Sequence, residues 1–140
     1  AYRRKDSVAC LGPIVAYSSK GLDRCLLRTP RRLDIDVLHE QIDAAENLGF
    51  DSLWVTEHHF RLFGGMIPSC QLLLAAAAGR TSRMRLGSSV SLVPMHHPIR
   101  VAEDFAMLDL LSQGRVNFGA GRGMSSHEYS VFGADWGTAQ

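Results

Sequence analysis

The sequence predicts an α/β fold. Two observations carry that prediction: stretches with apolar residues at helical spacing alternate with short apolar runs of strand length, and three successive runs end abruptly in polar groups. The first of these runs is Ser52 to Phe60, SLWVTEHHF. Leu53, Trp54 and Val55 suit a packed sheet, whereas Glu57, His58 and His59 are costly to bury without partners. The same layout recurs at His96 and His97, after the apolar run Met84 to Val93, and at Gly121, Arg122 and Gly123, after Val116 to Gly119. Such alternation implies βαβ crossovers and a parallel sheet, and polar groups ending consecutive strands favour a TIM barrel over an open doubly wound sheet. A full (β/α)8 barrel takes about 250 residues. The 140 residues here make one domain, about the first four βα units, or the N-terminal half of a barrel.

The elements follow in order. Residues 1 to 32 show no dominant period, since Arg3, Arg4, Arg24, Arg28, Arg31 and Arg32 are interspersed with short apolar pieces. Their best strand is Leu11 to Tyr17, which Pro13 confines to an edge or a strand start. The chain begins at Ala1 rather than Met, as processing or truncation would leave it. From Asp34 the pattern sharpens: Ile35, Leu38, Ile42, Ala45 and Leu48 share one helical face, Asp34 or Asp36 can cap the start, and Gly49 suits the end. After the strand Ser52 to Thr56 comes a loop with Gly64, Gly65 and Pro68, then an Ala-rich helix from Ser69 to Ala78 that Gly79 closes. Met84 to Val93 is apolar enough to be covered on both faces, although Gly87, Ser88 and Ser89 inside it point to a bulge or a close approach of backbone to ligand. Pro98 opens the next helix, with Val101, Ala102, Phe105, Leu108 and Leu111 on its buried face. A last helix begins near Ser125, where Ser125 and Glu128 have the spacing of a capping box.

Composition excludes more than it assigns. With 46% apolar and 21% charged residues and a net charge of +1, the chain has no footprint for nucleic acid or a membrane surface. Its longest mostly apolar run, Leu72 to Ala78, is far short of the roughly 20 residues that span a bilayer, and no apolar signal sequence leads the chain. It therefore reads as cytoplasmic. Cys10, Cys25 and Cys70 are odd in number and lack CxxC spacing, which fits reduced thiols rather than a disulfide framework or a zinc site.

At TEHHF, then LVPMHHPIRVAEDFAMLDLLSQGRVNFGAGRG and HEYSVFGADW, the sequence resembles the bacterial luciferase-like, or alkanal, flavin-dependent monooxygenases, from about Leu33 to Trp136, with residues 1 to 32 poorly matched. The resemblance implies a TIM barrel that binds reduced FMN at its C-terminal mouth, or a deazaflavin in a sister branch. Reduced flavin and oxygen would then act on an aldehyde or another small organic substrate. It also implies roles for particular residues. His58 matches the family's catalytic imidazole, with Glu57 near the flavin. Arg122 matches an arginine on the flavin phosphate, within a loop that holds Gly121 and Met124. Ser88, Ser89 and Val90 match the segment under the isoalloxazine ring, with a non-prolyl cis peptide between Ser89 and Val90. Gly121 stands where luciferases carry a cysteine, so the thiol is missing here.

Other readings stand beside these. A lone histidine at a strand end is commonly a partnered surface residue; Glu57, His58 and His59 together, with His96 and His97 at the next strand end, point further towards function, although His59 and His97 read as structural. Two imidazoles and a carboxylate could ligate zinc or iron, but adjacent strand residues face opposite ways, so no metal is expected on His58 with His59. Gly119, Gly121 and Gly123 imitate a dinucleotide loop whose third glycine would fall at Met124. Glu103, Asp104 and Asp109 read as solvated or partnered charges, and Trp54, Phe60, Phe63 and Met66 as an apolar lining of the mouth. Two alternatives to the flavin monooxygenase remain: a deazaflavin-dependent oxidoreductase, and a truncated, non-catalytic chain that hides its open barrel edges, for instance as a homodimer.

Overall fold

The computed structural model describes residues 7–10, 14–18, 34–60 and 67–137. A five-stranded sheet carries the core. Its order is β1 (Ser7–Cys10), β2 (Ile14–Ser18), β3 (Ser52–Val55), β4 (Arg85–Ser88) and β6 (Val116–Asn117). A separate parallel pair joins β5 (Ser91–Leu92) to β7 (Ala120–Gly121). Helices α1 (Ile35–Asn47), α2 (Cys70–Arg80) and α3 (Pro98–Leu111) follow β2, β3 and β5, and α4 (Ser126–Phe132) follows β7. No helix among the described residues is long and apolar enough to cross a membrane.

From β3 onwards the βα units run as the sequence implies, with β3, β4 and β6 all parallel. The N-terminal strand does not. The structure adds β1 and makes β2 the returning arm of a hairpin, so β2 lies antiparallel to β3, with Ile14 opposite Val55 and Tyr17 opposite Ser52. β2 begins at Ile14, immediately after Pro13, in keeping with the proline as a strand start. It is β1, one strand further out, that shares the direction of β3.

Caps position the helices. The Asp34 side chain accepts from the N–H groups of Asp36 and Val37, and Gly49 takes φ +84° just beyond the C-cap Leu48. In α2 the helix runs through Gly79 instead of closing there, because Thr81 caps it by bonding Ala77 O and Arg80 is held by Asp43. Its small residues press Leu74, Ala77 and Cys70 onto the sheet, where they meet Leu38, Ile42, Leu53, Val55, Leu86 and Phe105 in one apolar core. Glu103 and Asp104 pair with Arg100 on the outer face of α3.

Both later strands break where the sequence reads them as continuous. β4 ends at Ser88, the Ser89–Val90 peptide is cis as the resemblance implies, and the chain resumes as β5 with β7 for a partner. Opposite it, β6 stops at Asn117 and β7 starts at Ala120. The buried Ser88 hydroxyl stitches this step, donating to Gly119 O at 2.9 Å and accepting from Gly119 N–H at 3.0 Å. A Cβ on Gly119 would stand 2.1 Å from the Ser88 carbonyl oxygen, so only glycine fits there. Gly87 makes room in the same way for Trp54, its partner on β3, whose ring would lie 2.3 Å from an added Cβ.

Candidate active site

The C-terminal ends of β3, β5 and β7 meet at two buried carboxylates, and the first belongs to Glu57. Its residue is 1% exposed, two positions past the end of β3. Oε1 receives the imidazole Nε2 of His59 at 3.1 Å and that of His96 at 2.5 Å. Oε2 accepts from Leu92 N–H at 3.1 Å, Ser91 Oγ at 3.3 Å and Cys70 Sγ at 3.6 Å. Burial alone would raise this carboxyl, but the bonds from His96, Leu92 and His59 and the charge of His96 outweigh it and hold Glu57 below its ordinary 4.5. Burial and the adjacent Glu57 push the Cys70 thiol up to about 12, so it stays a neutral donor.

The second carboxylate is Glu128, in the first turn of α4. Ser125 Oγ accepts from its N–H at 3.3 Å, which is half of the capping box read from the sequence. The carboxylate itself, however, reaches the strand end, where Oε1 accepts from His59 N–H at 2.9 Å and lies 4.0 Å from His58 Nδ1. Only His58 and His96 of these imidazoles are substantially open, with side chains 28% and 27% exposed. His59 is buried edge-on against Phe132, and Phe60, which is exposed, packs beside both.

The remaining expected site residues divide. Ser88 spends its hydroxyl on Gly119, Ser89 is exposed and Val90 half-buried. A Cβ on Gly121 would come within 2.3 Å of Val90 Cγ2, so β7 lies against Val90 because that side chain is absent. Arg122 is exposed, with its guanidinium 4.7 Å from the centre of the Trp136 ring, while its carbonyl accepts from Tyr129 Oη at 2.5 Å. Met124 stands 84% exposed on the loop before α4. Of the apolar lining, Phe60 lies at the site, Trp54 packs within the sheet on Gly87, and Phe63 and Met66 fall outside the described residues. His96, marked by the sequence as a strand-end imidazole without an assigned role, and Glu128, read there only as a cap, both join the site. Their partners lie 39 and 69 positions away, and Glu128 had a sufficient local explanation as a cap.

Glu57, His59 and His96 offer donor atoms within 4.8 Å of one another, a set that zinc or iron could use. Two donors on one tetrahedral zinc ion stand about 3.3 Å apart, given metal bonds of about 2.0 Å. Here Glu57 Oε1 is instead hydrogen-bonded to both imidazoles, at His59 Nε2 and His96 Nε2. The arrangement can therefore hold and pass protons at a partly open mouth. An apolar groove lies elsewhere among the described residues, beside α3, lined by Val93, Val101, Phe105 and Phe118.

Residues 18–139 match the family of luciferase-like monooxygenases. The alkanal monooxygenase alpha chain of the Kryptophanaron alfredi symbiont is 38% identical over 92 residues, which is 66% of this chain and 26% of that protein. The limonene 1,2-monooxygenase of Rhodococcus erythropolis is 40% identical over 103 residues, 70% of this chain and 26% of that one. The chain thus spans about a quarter of the curated relatives it matches. Among solved structures, the oxygenating constituent of 3,6-diketocamphane monooxygenase of Pseudomonas putida, in complex with FMN, superposes with a TM-score of 0.69 at 27% identity, over 76% of this chain and 30% of that one. The coenzyme F420 dependent tetrahydromethanopterin reductase of Methanopyrus kandleri gives 0.61 at 27% identity, over 74% and 28%. By the match across 18–139, the chain belongs to the luciferase-like monooxygenase family.

Proposed function

We propose that the chain supplies the N-terminal part of the active site of a flavin-dependent monooxygenase, in which reduced FMN and oxygen act on an aldehyde or another small organic substrate. The observation that carries this reading is the meeting of Glu57 and Glu128 with His58, His59 and His96 at the C-terminal strand ends, where barrel enzymes place their chemistry. FMN, when bound, would supply the oxygen chemistry.

The residues present fit such a group. Arg122 offers a planar, exposed fork of donors for a phosphate, and Gly123 beside it has φ +81°. Ser89 and Val90 present backbone at the step between β4 and β5, and Gly121 keeps β7 close behind Val90. His58 is the proton-transfer residue, partly open and able to change protonation near neutral pH. Glu57, with both oxygens engaged, acts through His59 and His96.

A deazaflavin-dependent oxidoreductase is the second reading, favoured by the likeness to the coenzyme F420 dependent reductase. Anaerobic titration of the folded chain with reduced FMN, and separately with reduced deazaflavin, tests both. Saturable FMN binding that weakens about tenfold or more in Arg122→Ala is expected, since a charged hydrogen bond contributes about 1.5–3 kcal/mol. Oxygen uptake by the bound flavin should then fall in His58→Ala. Saturable binding of deazaflavin alone would select the second reading. If neither binds, both fail and the non-catalytic, associating chain takes their place.

A further inference from the structure

We propose that Trp136, braced by Tyr129, is a positioning residue that holds the Arg122 guanidinium ready for a phosphate. This rests on the reading of Arg122 as the flavin phosphate anchor. Gly121 and Gly123 flank Arg122, and Gly123 takes φ +81°, so the backbone on either side lacks the Cβ atoms that ordinarily limit it. A long arginine stem adds rotamers of its own, which a phosphate would otherwise have to freeze on binding. The loop needs a restraint, and α4 with the turn after it provides one.

The restraint starts beneath the loop. Leu92, Met95 and Tyr129 form a second apolar cluster, apart from the main core, with Val90, Ala134 and Trp136 packed on it. Tyr129 is 1% exposed, and its hydroxyl donates to Arg122 O at 2.5 Å, which fastens the backbone of the loop to α4. The helix then ends on Gly133 at φ +68°, and Ala134 N–H donates to Tyr129 O at 3.0 Å, so the chain folds back across its own last turn. That return brings the Trp136 ring edge-on to Tyr129, with 4.9 Å between centres and 90° between planes. Arg122 Cζ lies over the same indole, 4.7 Å from its centre. One tyrosine thus holds both the carbonyl of Arg122 and the ring that meets its guanidinium. A cation over an aromatic face is attracted through its charge, so the planar fork of N–H groups keeps its capacity to bond phosphate oxygens.

Reduced FMN and reduced riboflavin, which lacks the phosphate, are titrated anaerobically into wild type, Trp136→Leu, Trp136→Phe, and Arg122→Ala with and without Trp136→Leu. Trp136→Leu should weaken FMN about two- to fivefold and leave riboflavin unchanged, and Trp136→Phe should recover part of the loss. Adding Trp136→Leu to Arg122→Ala should cost nothing more, because the two residues act as one unit. The contact itself is read by NMR of the uniformly labelled chain. In wild type the δ-proton and Nε–H signals of Arg122 should lie upfield under the ring current of Trp136, and they should return downfield in Trp136→Leu. Unshifted Arg122 signals in wild type would overturn the proposal even if no variant folds. So would a folded Trp136→Leu with wild-type FMN affinity, or one that loses riboflavin equally. If wild type binds no flavin, inorganic phosphate becomes the probe. Movement of the Arg122 signals that weakens in Trp136→Leu would then support the positioning role while removing the flavin reading, and no movement would overturn both.

Discussion

The two ends of the parallel strands use charge in opposite ways. At their N-terminal ends, Arg115 donates to the carbonyls of Ala78, Thr81, Met84 and Ser112 and to Thr81 Oγ1, and Glu46 accepts from the N–H groups of Ser82, Arg83 and Met84. At the C-terminal ends, Glu57 and Glu128 face His58, His59 and His96. The charges at the first end are spent on peptide groups, which do not titrate, and they lock the turn between α2 and β4 against the start of β6. Those at the second end face imidazoles, whose ring nitrogens can either donate or accept a proton. A charge bonded to backbone makes structure; one bonded to an imidazole keeps chemistry available.

The comparison breaks most readily at Arg115. Arg115→Ala removes donors from several partly buried carbonyls at once and should destabilise the fold by about 3 kcal/mol or more. Urea unfolding measures this, and the ring nitrogen shifts of His58, His59 and His96 in the folded fraction should not change. If those shifts move in a chain that remains folded, the two ends are coupled and the division fails.

Glu57→Gln probes the other end. The amide keeps the shape but loses the charge that two imidazoles and Leu92 N–H share, so a loss of about 2 kcal/mol is expected at pH 7. Here the ring shifts of His59 and His96 must change. Because the folded pKa of Glu57 is depressed, its contribution is complete above the ordinary value of 4.5 and is lost as pH falls through the lower folded value. Wild type and variant should therefore converge in urea midpoint only below about pH 4.5. Convergence already at pH 6 would mean that the carboxylate is not ionised in the way its partners require.

How legible each end was in the sequence follows from the range of its contacts. Periodicity placed α1 and α3, and local chemistry gave Asp34, Pro98 and Ser125 as helix starts. The motif EHH marked the candidate end because three polar residues follow an apolar strand. Arg115 carried no signal, since its partners other than Ser112 lie 31 to 37 positions away, beyond any spacing rule. Glu128 was hidden for a different reason: an acid three residues after Ser125 is already explained by helix capping. The steps at Ser88 and Gly119 were half visible, because small residues marked a bulge but an apolar pattern cannot say that the strand changes partner. The proline marks the start of β2, but the antiparallel pairing of β2 with β3 is set by contacts far apart in the chain, such as Ile14 with Val55, which no local pattern carries.

The smallest expected effect sharpens the comparison from the structural end. Glu46 sits in the last turn of α1, where a negative charge opposes the helix dipole. Partial burial also favours its neutral form, yet the N–H groups of Ser82, Met84 and Arg83, with the Arg83 charge, hold its carboxyl below the ordinary 4.5. The amides must therefore outweigh both penalties. Glu46→Gln keeps an acceptor for one or two of these donors and relieves the dipole, so it should cost only about 1 kcal/mol at pH 7. The sign matches that of Glu57, with stability present above 4.5 and lost as pH falls through the depressed folded value. The two variants should nevertheless separate in one respect. Since the partners of Glu46 lie at the turn between α2 and β4, Glu46→Gln should leave the ring nitrogen shifts of His59 and His96 as in wild type, whereas Glu57→Gln should move both. A folded Glu46→Gln chain in which those shifts move would couple the two ends and erase the distinction between them.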